Sequence, residues 1–390
     1  MCADTKRTGS ADLDWGPSGP VQGPALENIA NNCAPPLAEK GQKRWHRYQL
    51  RDFQRSHSSL KRCRRCGHLR TGDGVGVRYS EGQGAGFSGL TTCGSVWVCP
   101  VCSAKILARR SLEFGVVLTA HENAGGSVVF GTFTMRHHRG TPLQSEWEAL
   151  QAAWHSIVRD KTWRKWKQRL GAIGHLRVVE VTYGSQGWHV HTHWALLIDS
   201  ERASLVPDFR SWVVDKWRRR LAAAGFDSLE VGQDVRHLSG LDAAVNLGNY
   251  FAKNTVGESV GRELFGSWTK KGRTPYSTRP AWQLLEDAYL GDVDALRLWH
   301  DYENVSQGRR QMNLSHGLRQ RFGLEPEKSD EEIAGESAGD VDLVRITPRG
   351  WFAILKKSWH EVAVLDVVER DGLDGLVAFL TAEGIEFEVM

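Results

Sequence analysis

Three histidines alternate along Gly187-Trp188-His189-Val190-His191-Thr192-His193. In an extended segment, a side-chain period of two puts His189, His191 and His193 on one face. Paired imidazoles on a strand can hold one divalent cation, which then needs a carboxylate or similar third donor. Glu180 meets that need. It interrupts the strand-like run Arg177-Val-Val-Glu-Val-Thr-Tyr183, and a carboxylate there is costly without a partner. A second metal chemistry is written in cysteine. Cys63-Arg-Arg-Cys66 and Cys99-Pro-Val-Cys102 are two knuckles 32 residues apart, and two such turns complete a tetrahedral thiolate site for structural Zn2+. Cys93 and His68 are spare donors nearby, and spacing does not choose among them. The third feature is Tyr250 with Lys253 three residues on, neighbours on one face of a helix. A phenol of pKa about 10 is a weak nucleophile, so a metal-held phosphate and a nearby ammonium would have to assist it.

These groups need a frame to hold them. Val128 to Met135 alternates and reads as a strand. Trp147, Leu150, Trp154 and Ile157 step at helical spacing toward Leu170. His175–Tyr183 and His189–Ile198 are two strands joined by the Gly184–Gly187 turn, a hairpin that sets Glu180 beside the histidines. Phe209, Trp212, Val213 and Trp217 mark another helix, Leu229–Arg236 a strand, and Leu241–Asn254 a helix carrying Tyr250. The order β-α-β-β-α-β, then a helix, predicts an α+β class with a ferredoxin-like or RRM-like antiparallel sheet.

The chain divides by composition. Residues 1–39 are rich in Pro, Gly, Ala and Asn and read as a disordered leader. Residues 40–124 form a basic, Cys-rich, zinc-ribbon-like module, and 125–264 carry the histidines and Tyr250. A basic helical extension over 265–324, an acidic linker over 325–340 and a small α/β unit over 341–390 complete the division.

The 390 residues carry a formal net charge of only +4, but the charge is uneven. Residues 325–390 hold 16 acidic and 6 basic side chains, leaving +14 on the rest. Within that basic part, Lys40–Arg70 has eleven Lys and Arg against Asp52 alone, an asymmetry expected of a nucleic-acid binder. Lys61, Arg62, Arg64 and Arg65, flanking the first knuckle, are placed to meet phosphates. The 41% hydrophobic content excludes wholesale disorder. No apolar run is long enough to span a bilayer and no secretory pattern opens the chain, so the expectation is a cytoplasmic protein without a membrane partner. In that compartment clustered cysteines serve metals or catalysis more often than disulfides.

The strand Phe130–His137 (FGTFTMRH), the segment GWHVHTH and the segment Asn249–Lys253 (NYFAK) lie in the order of three motifs. They resemble those of plasmid rolling-circle replication initiators of the HUH endonuclease superfamily. Cys93–Ile106 and the stretch GRTPYSTRPAWQLL are also similar, so the likeness covers about residues 60–320. The resemblance implies an origin-specific enzyme that nicks and joins single-stranded DNA through a 5′-phosphotyrosine. It implies His191 and His193 as ligands of Mg2+ or Mn2+, Tyr250 as nucleophile and Lys253 as its helper at the phosphate. His189 and Glu180 are further candidate ligands. Asn246 stands where some relatives have a glutamate that activates water at termination, which leaves the terminating nucleophile open. The sequence has no G-x-x-x-x-G-K-[ST] loop, so a host helicase would unwind the duplex and a host DNA polymerase would extend the freed 3′-hydroxyl. Three other readings share parts of this pattern: a relaxase or transposase of the same superfamily, a non-catalytic zinc-ribbon DNA-binding regulator, and a cupin-like metal oxygenase. The last lacks a glutamate soon after His193.

Overall fold

The computed structural model describes residues 39–240 and 278–390, apart from Gln83, Ala338 and Ser358. The expected Leu241–Asn254 helix, with Asn246, Tyr250 and Lys253, lies outside the described residues.

The class is α+β, helices packed on antiparallel sheet. In the larger sheet, β3 (Gly126–Phe133), β4 (Gly174–Gly184), β5 (Gly187–Asp199) and β6 (Asp234–Leu238) lie in the order β6-β3-β5-β4. Two short strands, β7 (Arg279–Pro280) and β8 (Met312–Leu314), both pair with β4. Between β3 and β4 run helices α4 (Leu143–Val158) and α5 (Lys161–Arg169); between β5 and β6 runs α6 (Val206–Ala223). The strand expected over Leu229–Arg236 is therefore displaced. A 3-10 turn at Glu230–Gly232 delays it, and pairing with β3 begins only at Asp234 opposite Thr132.

The two faces of this sheet differ. On one, Trp194 fills the space over Gly131, where a Cβ would lie 2.1 Å from its ring. Phe133 and Trp217 stack beside it at 4.8 Å, and Phe209 of α6 meets Trp194 edge-on. Trp147, Trp194, Trp217 and Phe209 are all fully buried, and each aromatic removes ~150–250 Å² from water. Most tryptophans among the described residues thus serve the core. The other face carries the histidines. Its far half is crossed by α3 (Pro100–Asn123), whose His121 ring sits against Gly126 and meets the Ser127 and Ile198 carbonyls at 3.1 and 3.0 Å.

The Cys-rich region is helical where a ribbon would be β-structured. It opens with α1 (Glu39–His57), and its first knuckle begins in the short α2 (Lys61–Arg64) and ends just past it. The second is the start of α3, where Cys99 is the N-cap, Pro100 takes the first turn, and the Cys99 thiol accepts from the Cys102 amide at 3.5 Å. The hairpin of β1 (Val75–Ser80) and β2 (Gly84–Ser88) leaves this region altogether. It joins β9 (Val344–Ile346) and β10 (Phe387–Val389) in a second sheet of order β10-β9-β1-β2. Val75, Val77, Val344 and Ile346 share a core with Trp351 of α11 (Pro348–Lys356) and Val364 and Leu376 of α12 (His360–Ala382). The C-terminal unit is therefore completed by a hairpin from the other end of the chain. Helices α7 (Ala281–Tyr289) and α8 (Val293–Ser306) pack side by side, and the short α9 (Leu318–Arg321) sets Leu318 over Gly174. The expected acidic linker contains α10 (Asp330–Gly335), started by a Ser329–Glu332 capping box and docked on α3. No helix among the described residues is long and apolar enough to cross a membrane.

Candidate metal centres

The β4–β5 register sets Glu180 directly opposite His191 and Val178 opposite His193. Side chains of cross-strand partners share a face, so the hairpin brings the carboxylate and both imidazoles together. Glu180 Oε2 lies 3.0 Å from His191 Nε2 and 3.4 Å from His193 Nε2. On the neighbouring strand Thr132, opposite His193 in the register, places its hydroxyl 2.9 Å from His193 Nδ1. That contact engages one ring nitrogen and turns the other toward Glu180, the arrangement by which outer groups fix metal-binding imidazoles. Burial opposes ionisation of Glu180, but its hydrogen bonds with His191 and His193 outweigh this and hold the carboxyl well below the ordinary carboxylate range.

The residues suit a divalent cation. The three donor atoms lie within 4.8 Å of one another, and donors ~2.1 Å from one ion at right angles are about 3 Å apart. Glu180 Oε1 is buried without a hydrogen-bond partner, an oxygen left over for an ion or its water. Imidazole and carboxylate donors accept several divalent ions.

His189 is not part of this group. Its ring stacks on His191 and on His137 of the loop after β3, each at 4.7 Å between centroids. Burial, then the nearby His191 and His137, pushes its pKa down to about 3. It is a neutral packing neighbour of the pair.

The cysteines gather differently from the two-knuckle expectation. The thiols of Cys66, Cys93, Cys99 and Cys102 lie within 4.8 Å of one another. Cys93 thus stands in the group where Cys63 was expected. The reason is a long-range pairing: Gly67 and Leu69 exchange backbone hydrogen bonds with Thr91 at 2.7 and 2.8 Å, drawing Cys93 alongside Cys66. Sulfur separations of 3.6 Å (Cys66–Cys99), 3.4 Å (Cys66–Cys102) and 3.7 Å (Cys93–Cys102) approach the ~3.8 Å edge of a tetrahedron with Zn–S of about 2.3 Å. Cys63 is buried beside Cys93, and His68 is exposed outside the group. Arg51 adds positive charge near Cys66 and Cys99 and is itself held by Glu361 at 2.5 Å.

The family model described as Replication protein matches residues 89–218, a stretch that contains Glu180, both histidines and three of the four clustered cysteines. A protein called "Protein rep" from Streptomyces lividans is 27% identical over 351 residues, spanning 73% of this chain and 76% of its own length. Over these stretches the chain is similar to Rep replication proteins. A "Neomycin resistance protein" from Streptomyces cyanogenus is 33% identical over 135 residues, covering 28% of this chain and 31% of that protein. No solved structure matches.

The basic residues singled out from sequence, Lys61, Arg62, Arg64 and Arg65, are all exposed on and just after α2. Arg62 reaches Glu331 of α10 at 3.4 Å. Two contributors escaped the sequence reading as site residues, Thr132 and His137. Both lie in the quoted FGTFTMRH segment, and Thr132 was signalled only by facing the histidine strand. If the hydroxyl orients His193, Thr132→Val should weaken Mn2+ binding ~10–100-fold, the usual cost of losing an outer partner, with Thr132→Ser close to wild type. Calorimetric titration with Mn2+ checks this, and unchanged affinity in the valine variant would refute the role.

Proposed function

We propose that the chain initiates plasmid rolling-circle replication as an HUH endonuclease on a ferredoxin-like sheet, nicking and rejoining one DNA strand at the plasmid origin. The observation that carries this reading is the Glu180–His191–His193 cluster, lying within the stretch matched by the replication-protein family. The strand order β6-β3-β5-β4 supports it, because it sets Thr132, His191, His193 and Glu180 on neighbouring strands. Bound Mg2+ or Mn2+ would supply Lewis-acid polarisation of the scissile phosphate. His191, His193 and Glu180 would hold that ion, and Thr132 would keep His193 in the binding tautomer.

Tyr250 is the nucleophile in this proposal. Its oxygen bonds to phosphorus, the phenolic proton is lost, and the P–O3′ bond breaks to leave a protonated 3′-hydroxyl. Lys253 steadies the phosphate. The phosphotyrosine conserves the bond energy, so a later 3′-hydroxyl can displace Tyr250 and reseal a strand without a nucleotide cofactor. The tetrathiolate would hold a structural Zn2+. The 3′-end primes host polymerase behind a host helicase.

The test is a covalent adduct. Wild type incubated with origin single strand and Mn2+ should give a protein–DNA band stable to denaturation, and Tyr250→Phe should give none. A wild type that forms no adduct on its own plasmid's origin would defeat the enzyme reading. A phenylalanine variant that still forms one would defeat the assignment of Tyr250.

A further inference from the structure

The acidic segment 325–336 does not hang free of the basic body. Glu325 pairs with Arg109 at 2.6 Å, Glu327 with Arg310 at 3.1 Å and Arg110 at 3.7 Å, Asp330 with Arg110 at 3.2 Å, and Glu331 with Arg62 at 3.4 Å. Its backbone is fixed. Ile333 and Ala334 are buried in the main core, and Lys105 donates to the Ala334 and Glu336 carbonyls at 3.4 and 3.0 Å. At Gly94, whose φ is +58°, a Cβ would lie 2.8 Å from the Glu331 Cα, so the segment is seated directly beside the cysteine cluster. Its acidic side chains differ in exposure: Glu325, Glu327 and Glu331 are exposed by 64, 41 and 60%, and Asp330 by 25%.

Beneath these carboxylates is a cavity of about 390 Å³ whose wall includes Arg62, Arg110, Arg309, Arg310 and Met312. Met312 lies opposite Val178 in the sheet, and Val178 lies opposite His193. With strands ~4.8 Å apart, Met312 stands about 10 Å from His193 along the sheet. Four arginines therefore line a hollow two strands from the candidate metal centre. Arg62, Arg110 and Arg310 face the segment's carboxylates, Arg110 also meets Glu113 at 3.6 Å, and Arg309 donates to the Val305 carbonyl and Gln144.

We infer that this arginine-lined cavity binds the phosphodiester backbone of single-stranded DNA next to the nick site, and that the carboxylates of Glu327, Asp330 and Glu331 occupy it when DNA is absent. The inference rests on the nicking reading for its substrate, but not on metal or on Tyr250. Rotation of three side chains exchanges carboxylate for phosphate on the same guanidiniums, while α10 stays docked. The exchange raises the threshold for stray DNA: a strand must displace internal anions rather than mobile counterions.

The experiment measures binding of a fluorescent oligo-dT strand in EDTA, where no cleavage occurs, by anisotropy over a range of salt. Glu327→Gln with Asp330→Asn and Glu331→Gln should tighten binding at least fivefold. It should also steepen the log K against log salt slope by up to about 2, at ~0.7 for each of three arginines newly neutralised by phosphate. A control with equal charge change, Asp374→Asn with Glu386→Gln and Glu388→Gln in the C-terminal unit, should tighten binding less than twofold. Adding Arg62→Ala and Arg310→Ala to the neutralised segment should cancel the gain. Equal tightening by the control, no tightening by the triple variant, or a gain that survives loss of both arginines would each overturn the inference. Loss of the covalent adduct with this binding pattern intact would count against the nicking reading alone.

Discussion

His191→Ala with His193→Ala is expected to abolish covalent adduct formation, with a loss of ~10³-fold or more. An ion that stabilises several kcal/mol of developing charge at phosphorus accounts for that factor. The double variant should also lose Mn2+ binding in calorimetry, which separates removal of the ion from removal of the nucleophile. Tyr250→Phe should bind Mn2+ normally. Because His193 is buried and His191 nearly so, far-ultraviolet dichroism of the double variant should be checked, while Trp194 and Val190 on the opposite face of β5 keep their packing. Glu180→Gln is informative for a different reason. It keeps the volume and one oxygen but loses the charge that opposes the cation, so Mn2+ affinity should fall while far-ultraviolet dichroism stays unchanged. Adduct formation at wild-type rate by the double histidine variant would remove the metal from the mechanism.

The second large effect concerns sulfur. Cys93→Ser is expected to lower bound zinc from about one ion per chain to near none. Cys63→Ser, although it alters an equally buried knuckle cysteine, should retain it. Cobalt replacement gives an independent reading, since intense thiolate-to-metal absorption should persist in Cys63→Ser and collapse in Cys93→Ser. The zinc-free protein should also lose the anchor at the start of α3, because Cys99 caps that helix and Cys102 sits in its first turn. The opposite pattern, zinc lost with Cys63 and kept with Cys93, would restore the ligand set that local spacing suggests.

That contrast shows where the sequence is readable. Strand alternation is local, so Val128–Met135, His175–Tyr183 and the histidine strand can be placed from the chain itself, and Glu180 can be put beside His191 by counting back across one turn. CxxC spacing is local too, and it favours Cys63 because Cys63 is near Cys66 in sequence. Cys93 is delivered by the Thr91–Leu69 pairing, which no periodicity announces. The second sheet was illegible for a similar reason. Its strands β9 and β10 have three residues each, and β2 reads Gly-Ala-Gly-Phe-Ser, too short or too glycine-rich to show a period. The acidic stretch looked like a linker because charge dominates its composition. Ile333 and Ala334, the two small apolar residues that dock it, are a faint signal among glutamates.

The sheet that joins β1 to β9 also orders events in time. Val75 and Ile346 are partners roughly 270 residues apart, and closing a loop of that length between unfolded segments is entropically slow. The histidine sheet, built from strands 126–238, can form earlier and shorten the effective loop by bringing the flanks together. The C-terminal helices then act as a late clasp, closing over Val75 and Val77 only after the intervening structure exists. In refolding, protection of the β5 amides from hydrogen exchange should therefore precede protection of the β1 amides, and a chain stalled between the two stages would hold a formed metal-site hairpin with its clasp still open.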